Sequence, residues 1–269
     1  MGLWELAESI IVKTARSSGS VPESLARLAE IFVLEHRNCS NYDFETNGER
    51  RLMNRLSHLP FKTIFDVGAN RGDWSLIAGK NFPGAHIHAF EIVPATYLHL
   101  EAAVRDTVTA NAFGLSSVEG PIEVNYFPDN DLVSSAYTME RMRNIASTTV
   151  SSFVCRGDTY CRRHQISSID FLKIDVEGAE HLVLDGFGEM FDEGRIGMVQ
   201  FEYGMANIYS RHLLYDFWKE FGARGYRVGK LMPNYVAFKD WSPEDEDFRG
   251  PNYIAVHRSR ADILTSLIA

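Results

Sequence analysis

Lys62-Thr-Ile-Phe-Asp66-Val-Gly68-Ala-Asn70-Arg-Gly72-Asp73-Trp74 is the stretch on which the fold turns. β-Branched and aromatic residues at Thr63, Ile64, Phe65 and Val67 suit a strand covered on both faces, and two glycines follow where a side chain would block a tight turn. Asp73 is placed to cap a helix that begins there. A strand, a glycine turn and a helix in this order make the start of an α/β unit. In open sheets of that kind ligands bind at the carboxyl ends of the strands, so Asp66 and the turn stand where a ligand would sit.

The spacing narrows the ligand. A dinucleotide fingerprint reads G-x-G-x-x-G, whereas here the pattern is Asp66-x-Gly68-x-x-x-Gly72. Asp66 would repel a pyrophosphate and attract a ligand that carries an ammonium and a sulfonium. A second strand pattern, Ala85 to Phe90, ends at Glu91, where a carboxylate can accept both hydroxyls of a ribose. Together the two acids suit S-adenosylmethionine better than a nicotinamide dinucleotide.

The 269 residues, 45% of them hydrophobic, are enough for one large α/β domain with a small extension. Net charge is 27 minus 36, or −9, with no basic run to track phosphates, which argues against a nucleic-acid substrate and for a small, weakly charged molecule. Cys39, Cys155 and Cys161 are odd in number and contain no C-x-x-C pair, so neither a disulfide framework nor a zinc site is expected and a reducing cytoplasm is. Glu5 and Glu8 precede the first lysine and no long apolar run follows, so no signal peptide or membrane span is expected.

Leu3, Leu6, Ala7, Ile10, Ile11 and Thr14, then Leu25, Leu28, Ala29, Phe32 and Val33, recur at helical spacing. Pro22 fits the first turn of the second helix, and Thr46-x-x-Glu49 has the spacing of a capping box for a third, with Leu52, Leu56 and Leu59 on one face. Residues 1 to 60 are therefore read as a helical extension, packed on the sheet or on a second subunit, or walling the substrate pocket; residues 61 to 269 form the catalytic domain. From residue 61 strands (62 to 67, 85 to 90, 107 to 112) alternate with helices (73 to 81, 94 to 104), the order of a parallel sheet. Pro121 to Phe127 alternates like an edge strand and Thr148 to Val154 is a candidate partner. Between them the polar stretch 128 to 147, with Asp129, Asn130, Asp131, Ser134 and Ser135, reads as a surface loop or an active-site lid. Alternation resumes with strands 169 to 174 and 196 to 201, helices 179 to 187 and 210 to 222, and strands 225 to 231 and 252 to 257 as a hairpin-like edge. The acidic run Glu244 to Asp247 between those last strands reads as a solvated loop.

Phe171-Leu-Lys-Ile-Asp175-Val-Glu177-Gly178-Ala-Glu180 places a second acid at a strand end beside a helix start. Glu177 and Glu180 also suit the positive end of that helix. Glu202 ends the next strand pattern and would lie near Asp175 if the strands are neighbours. Asp175, Glu177 and Glu202 are the candidate catalytic residues: one could take the proton of an attacking hydroxyl, or two could hold a magnesium ion. His181 follows the cluster, and a lone helical histidine more often lies at the surface. His86 and His88 share a strand face without a third metal ligand.

Ile-Phe-Asp66-Val-Gly-Ala-Asn-Arg-Gly, Phe-Glu91-Ile-Val-Pro, Asn111-Ala-Phe-Gly-Leu-Ser and Ile-Asp-Phe-Leu-Lys-Ile-Asp175-Val-Glu-Gly-Ala-Glu resemble the successive motifs of the FkbM-type methyltransferases over residues 61 to 257. The resemblance implies a class I, Rossmann-like α/β fold, its mostly parallel seven-stranded sheet ending in an antiparallel edge strand. It further implies S-adenosylmethionine-dependent O-methylation of a hydroxyl on a polyketide, a sugar or a similar natural product. By motif, Asp66, Gly68, Asn70 and Gly72 would surround the methionine part, Glu91 the ribose, and Asn111 with Ala112 the adenine edge; Ala69, Trp74 and Ile92 complete the expected cofactor contacts. The chain departs from the family in carrying Glu91-Ile-Val-Pro94 where Glu-Pro-Asn-Pro is common, and its first 60 residues fall outside the pattern.

Methyl transfer is an in-line displacement in which placement matters most. The Asn/Asp-Pro-Pro-aromatic block of many amino methyltransferases is replaced by Asp175-Val-Glu-Gly, which points away from N-methylation. Tyr203, Tyr209 and His212, after Glu202, are candidates for contact with the acceptor or for helix packing. Two other classes stay open: a nicotinamide oxidoreductase, which lacks its third glycine here, and a non-catalytic binder of an adenosyl ligand, which has no use for the strand-end acids.

Overall fold

Strands and helices alternate because the period of the apolar residues switches between two and 3.6 along the chain. The computed structural model describes residues 2–104, 108–128 and 146–268. β1 (Thr63–Val67), α4 (Asp73–Asn81), β2 (His86–Phe90), α5 (Pro94–Ala103) and β3 (Val108–Asn111) form the first half; α1 (Leu3–Ala15), α2 (Ser20–His36) and α3 (Glu49–Leu56) precede them. β4 (Gly114–Leu115), β5 (Gly120–Tyr126) and β6 (Thr148–Cys155) come next. The second half runs α6 (Gly157–Arg163), β7 (Ile169–Ile174), α7 (Glu180–Gly186), α8 (Gly188–Asp192), β8 (Ile196–Glu202), α9 (Asn207–Ser210), α10 (Leu214–Ala223), β9 (Tyr226–Leu231), β10 (Val236–Phe238), β11 (Asn252–His257) and α11 (Ala261–Ile268).

The large sheet has eight strands in the order β10-β9-β11-β8-β7-β1-β2-β3. β1 pairs in parallel with β2 on one side and β7 on the other, so the direction of winding reverses between β1 and β7. That reversal opens the crevice in which ligands of such sheets bind. The expectation of seven strands with an antiparallel edge is corrected. β11 lies inside the sheet, antiparallel to both β8 and β9, and the edge is the short β10, antiparallel to β9. Asn252–His257 can take an interior place because Tyr253 to Val256 are all buried, a pattern of two covered faces rather than one. Nor do β5 and β6 flank the large sheet: they pair antiparallel and, with β4, make a separate three-stranded sheet. The polar residues Asp129, Asn130, Asp131, Ser134 and Ser135 lie outside the described residues.

Two apolar layers cover the faces of the large sheet. Phe65, Phe90, Tyr160, Phe187, Phe201 and Phe217 belong to one, and Leu52, Met53, Leu56, Phe61, Trp74 and Phe171 to the other. α3 thus sits in the core. Glu49 at its start accepts from Gln200 Nε2 of β8 at 2.6 Å and from Asn252 Nδ2 of β11 at 3.2 Å. Its N-terminus is not the expected capping box: Gly48 is the cap, Asn47 Oδ1 accepts the Glu49 N–H at 2.9 Å, and Thr46 Oγ1 donates to Asp43 Oδ2 at 2.8 Å. α1 and α2 have no buried residue. No described helix is long and apolar enough to cross a membrane.

Candidate active site

The turn after β1 is held by backbone hydrogen bonds and by the side chains of Glu91 and Asn70, which accept the N–H groups of Asn70 and Arg71. Gly68 and Ala69 donate to the carbonyl of Phe90 at 3.0 and 2.9 Å, and Asp175 N–H donates to the carbonyl of Val67 at 2.9 Å. Gly68 has φ +83°, and a Cβ there would collide with the carbonyl oxygen of Asp175, so the glycine lets the β1 and β7 loops meet. Gly72, at φ +91°, is the cap of α4, and Asp73 is the first helical residue, not the cap.

Asp66 is fully buried beneath this turn. Its Oδ2 accepts from Ser75 Oγ at 2.7 Å, and the Lys173 ammonium lies 3.4 Å from Oδ1. Lys173, itself buried on β7, also donates to Asp175 Oδ2 at 3.2 Å. Burial alone would discharge this lysine, but Asp175 and Asp66 outweigh it and hold its pKa above the ordinary value. Asp66 therefore fixes the lysine that charges the site from below and does not line the cavity.

That cavity, about 870 Å³ including the part open to solvent, runs from the ends of β1, β2 and β7 to the small sheet. Of the residues expected at a cofactor, Gly68, Asn70, Glu91 and Ile92 line it, as do Asp175 and Glu177. Glu91 is 6% exposed; its Oε2 accepts the Asn70 N–H at 2.9 Å and its Oε1 the Val93 N–H at 2.8 Å. Ala69, Gly72 and Trp74 do not line the cavity: Ala69 packs near Leu100, a Cβ on Gly72 would press on Leu100 and Val104, and Trp74 stacks edge-on against Phe171 in the core. Asn111 is turned inward, donating to the carbonyls of Ala89 and Thr109 at 3.0 and 3.1 Å, and Ala112 is exposed outside the cavity. On that side the cavity is lined instead by Gly114, Leu115 and Ser116, next to Ile92. Gly114 to Ser116 belong to the same Asn-Ala-Phe-Gly-Leu-Ser motif, a few residues beyond the pair singled out, and only the turn into β4 shows which part faces inward. A Cβ on Gly114 would come within 2.9 Å of Ile92, so the glycine lets the turn into β4 pack directly on that side chain. Ile122, Val124 and Val154, from the small sheet, close the apolar wall, and no periodicity signalled that role.

β7 and β8 are parallel neighbours, which brings the strand-end acids together: Asp175, Glu177 and Glu202 each offer an oxygen within 4.8 Å of the others. Burial opposes ionisation of Asp175, but Lys173 and a hydrogen bond with Glu202 outweigh it and hold its carboxyl below the usual range. Burial, then repulsion by Asp175 and Glu177, pushes Glu202 well above the usual range. The two acids titrate as a pair in which Lys173 favours charge on Asp175 and burial beside two other acids disfavours it on Glu202. Glu177 stands at φ +53°, next to Gly178 at φ +99°, and Glu180 closes the loop, its Oε1 accepting the N–H groups of Val176 and Gly178, both at 3.1 Å. Burial raises the Glu180 pKa to about 7.

The histidines and the distal tyrosines lie elsewhere. His88 is buried with Nδ1 2.8 Å from Tyr160 Oη, and His86 Nε2 is 2.7 Å from Thr109 Oγ1. His181 stacks on His212 at 4.7 Å. Tyr203 is fully buried and donates to Glu246 at 2.7 Å, and Tyr209 packs beside Phe127.

The family described as Methyltransferase FkbM domain matches residues 66–228. The chain is 31% identical over 156 residues to the 31-O-demethyl-FK506 methyltransferase FkbM of Streptomyces tacrolimicus, covering 47% of this chain and 60% of that protein. It is 32% identical over 167 residues to methyltransferase sdnD of Sordaria araneosa, covering 50% and 64%. The chain thus matches about three-fifths of the length of these curated relatives. A solved methyltransferase FkbM from Methylobacillus flagellatus KT superposes on 74% of this chain and 44% of its own with a TM-score of 0.48 at 14% identity.

Proposed function

The chain belongs to the Methyltransferase FkbM domain family, and from that premise we propose that it is an S-adenosylmethionine-dependent O-methyltransferase acting on a hydroxyl of a small natural product, a polyketide or a sugar moiety. The observation that carries this reading is the juxtaposition at the switch point, where Glu91 and the Gly68–Asn70 turn share one cavity with the strand-end acids Asp175 and Glu177. The residues fit the cofactor. The Glu91 carboxylate stands in the cavity wall as an acceptor for a ribose diol, Ile92, Leu115, Val124 and Val154 offer an apolar wall to a flat ring, and the acids supply negative potential for a cation. When bound, S-adenosylmethionine supplies a methyl carbon activated by its sulfonium.

Asp175, kept ionised by Lys173, accepts the proton of the acceptor hydroxyl at a carboxylate oxygen. Glu202, holding its proton, orients that carboxylate through their hydrogen bond. A hydroxyl acceptor is also in keeping with the 31-O-demethyl substrate in the name of the Streptomyces relative. A magnesium ion would have to draw on Asp175, Glu177 and Glu202 and compete with the Lys173 ammonium, which already lies 3.2 Å from Asp175 Oδ2.

Calorimetric titration with S-adenosylhomocysteine, run in parallel with NAD, tests the reading. Binding of the homocysteine compound alone, weakened about 10-fold or more in Glu91→Ala, is expected; binding of NAD alone, or of neither, overturns it.

A further inference from the structure

α1 and α2 pack against each other, yet their apolar residues stay in the open. Twelve large apolar side chains on the two helices are between 38% and 90% exposed, Leu3 at 90%, Trp4 at 83%, Phe32 at 70% and Ile11 at 67% among them. At ~150–200 Å² for a whole residue, this leaves on the order of 1,000 Å² open, above the ~300–600 Å² patch of an ordinary monomer. It matches the ~800 Å² that each partner of a stable complex buries.

The charges say what covers it. α1 carries Glu5 and Glu8 in its first half, Lys13 in its last turn and Arg16 at its cap. Laid antiparallel on its own copy, such a helix sets acids opposite bases at both ends, as a twofold interface of identical surfaces requires. A membrane surface fits less well. Glu5, Glu8, Glu23, Glu30 and Glu35 outnumber Lys13, Arg16, Arg27 and Arg37, and a chain of net charge −9 is repelled by anionic lipid.

We propose that α1 and α2 are a dimerisation module, in which the hairpin of one copy packs on the hairpin of a second about a twofold axis as a four-helix bundle outside the catalytic domain. The bundle buries the Trp4 and Phe32 faces and pairs Glu5 and Glu8 of one copy with Lys13 and Arg16 of the other.

Sedimentation velocity of the full chain over a concentration series tests this. Wild type sediments as a dimer. Trp4→Glu with Phe32→Glu raises the dissociation constant about 100-fold or more without moving the melting temperature of the monomer, because neither residue is buried. Glu5→Lys with Glu8→Lys and, separately, Lys13→Glu with Arg16→Glu each weaken self-association, and an equimolar mixture of the two variants restores it. Monomeric wild type throughout the series, or a mixture no tighter than either variant alone, overturns the proposal. So does wild type that remains monomeric and floats with phosphatidylcholine vesicles.

Discussion

Lys173 is the residue on which the site's electrostatics rest. It faces Asp66 on one side and Asp175 on the other, 3.4 and 3.2 Å away, and among the described residues neither acid has an ion pair with another cation. Lys173→Met should therefore act in two ways. Leaving Asp66 buried and unpaired should cost about 3–5 kcal/mol of stability, measured by urea denaturation. It should also let the Asp175 carboxyl titrate higher, moving the acid limb of the kcat/KM profile upward in pH. The two other strand-end acids should separate by protonation state. Asp175→Asn removes the base and should lower kcat by about 10²–10⁴-fold. Glu202→Gln replaces a protonated carboxyl with a neutral group of the same shape and should cost far less. Equal losses from the two would show that the proton sits elsewhere. The sequence placed all three acids at strand ends; their division of labour needed the lysine two residues before Asp175, whose burial no pattern discloses.

At the scale of elements, the loop from β7 into α7 is built on a carboxyl that pays an ionisation penalty. Glu180 is 1% exposed, and burial lifts its pKa from an ordinary 4.5 to about 7. Below about 4.5 the group is protonated folded or unfolded. As pH rises toward 7 only the unfolded chain ionises, so stability is lost across that window, up to ~3 kcal/mol. Glu180→Gln keeps an acceptor for the Val176 and Gly178 N–H groups and should flatten this part of a plot of melting temperature against pH. Strand and helix identities were legible because apolar periodicity is local, as in β1, β7 and β8. The order of strands was less so: nothing within Asn252–His257 says that it inserts between β8 and β9. The acidic run near residue 246 misled for a related reason. Glu246 accepts the N–H groups of Leu214 and Tyr215, at 3.1 and 2.6 Å, as well as Tyr203 Oη, so it caps α10 from a distance of more than thirty residues along the chain. A charge that satisfies a remote helix end looks, in one dimension, like any solvated loop.

At the scale of the whole molecule, the segment read as one N-terminal extension divides at about residue 37. α3 belongs to the core through Leu52, Met53 and Leu56, whereas α1 and α2 bury nothing. A chain starting at Arg37 should melt within a few degrees of the full one when both are monomeric, since stability follows buried apolar area. A chain starting after Leu59, which loses α3, should melt far lower. Scanning calorimetry distinguishes the two. The same division marks what helical spacing leaves open: it reports that a face is apolar and is silent on what the face meets.

The glycine at 68 ties these scales together. Because the Asp175 carbonyl fills the space a side chain would need, the loop after β1 and the loop after β7 are keyed into one another and cannot hinge apart separately. Gly68→Ala, strained at φ +83° and wedged against backbone, should spoil ligand affinity and turnover together. A molecule in the cavity then meets the keyed pair as one rigid jamb, facing the side built from Gly114 to Ser116 and the small sheet.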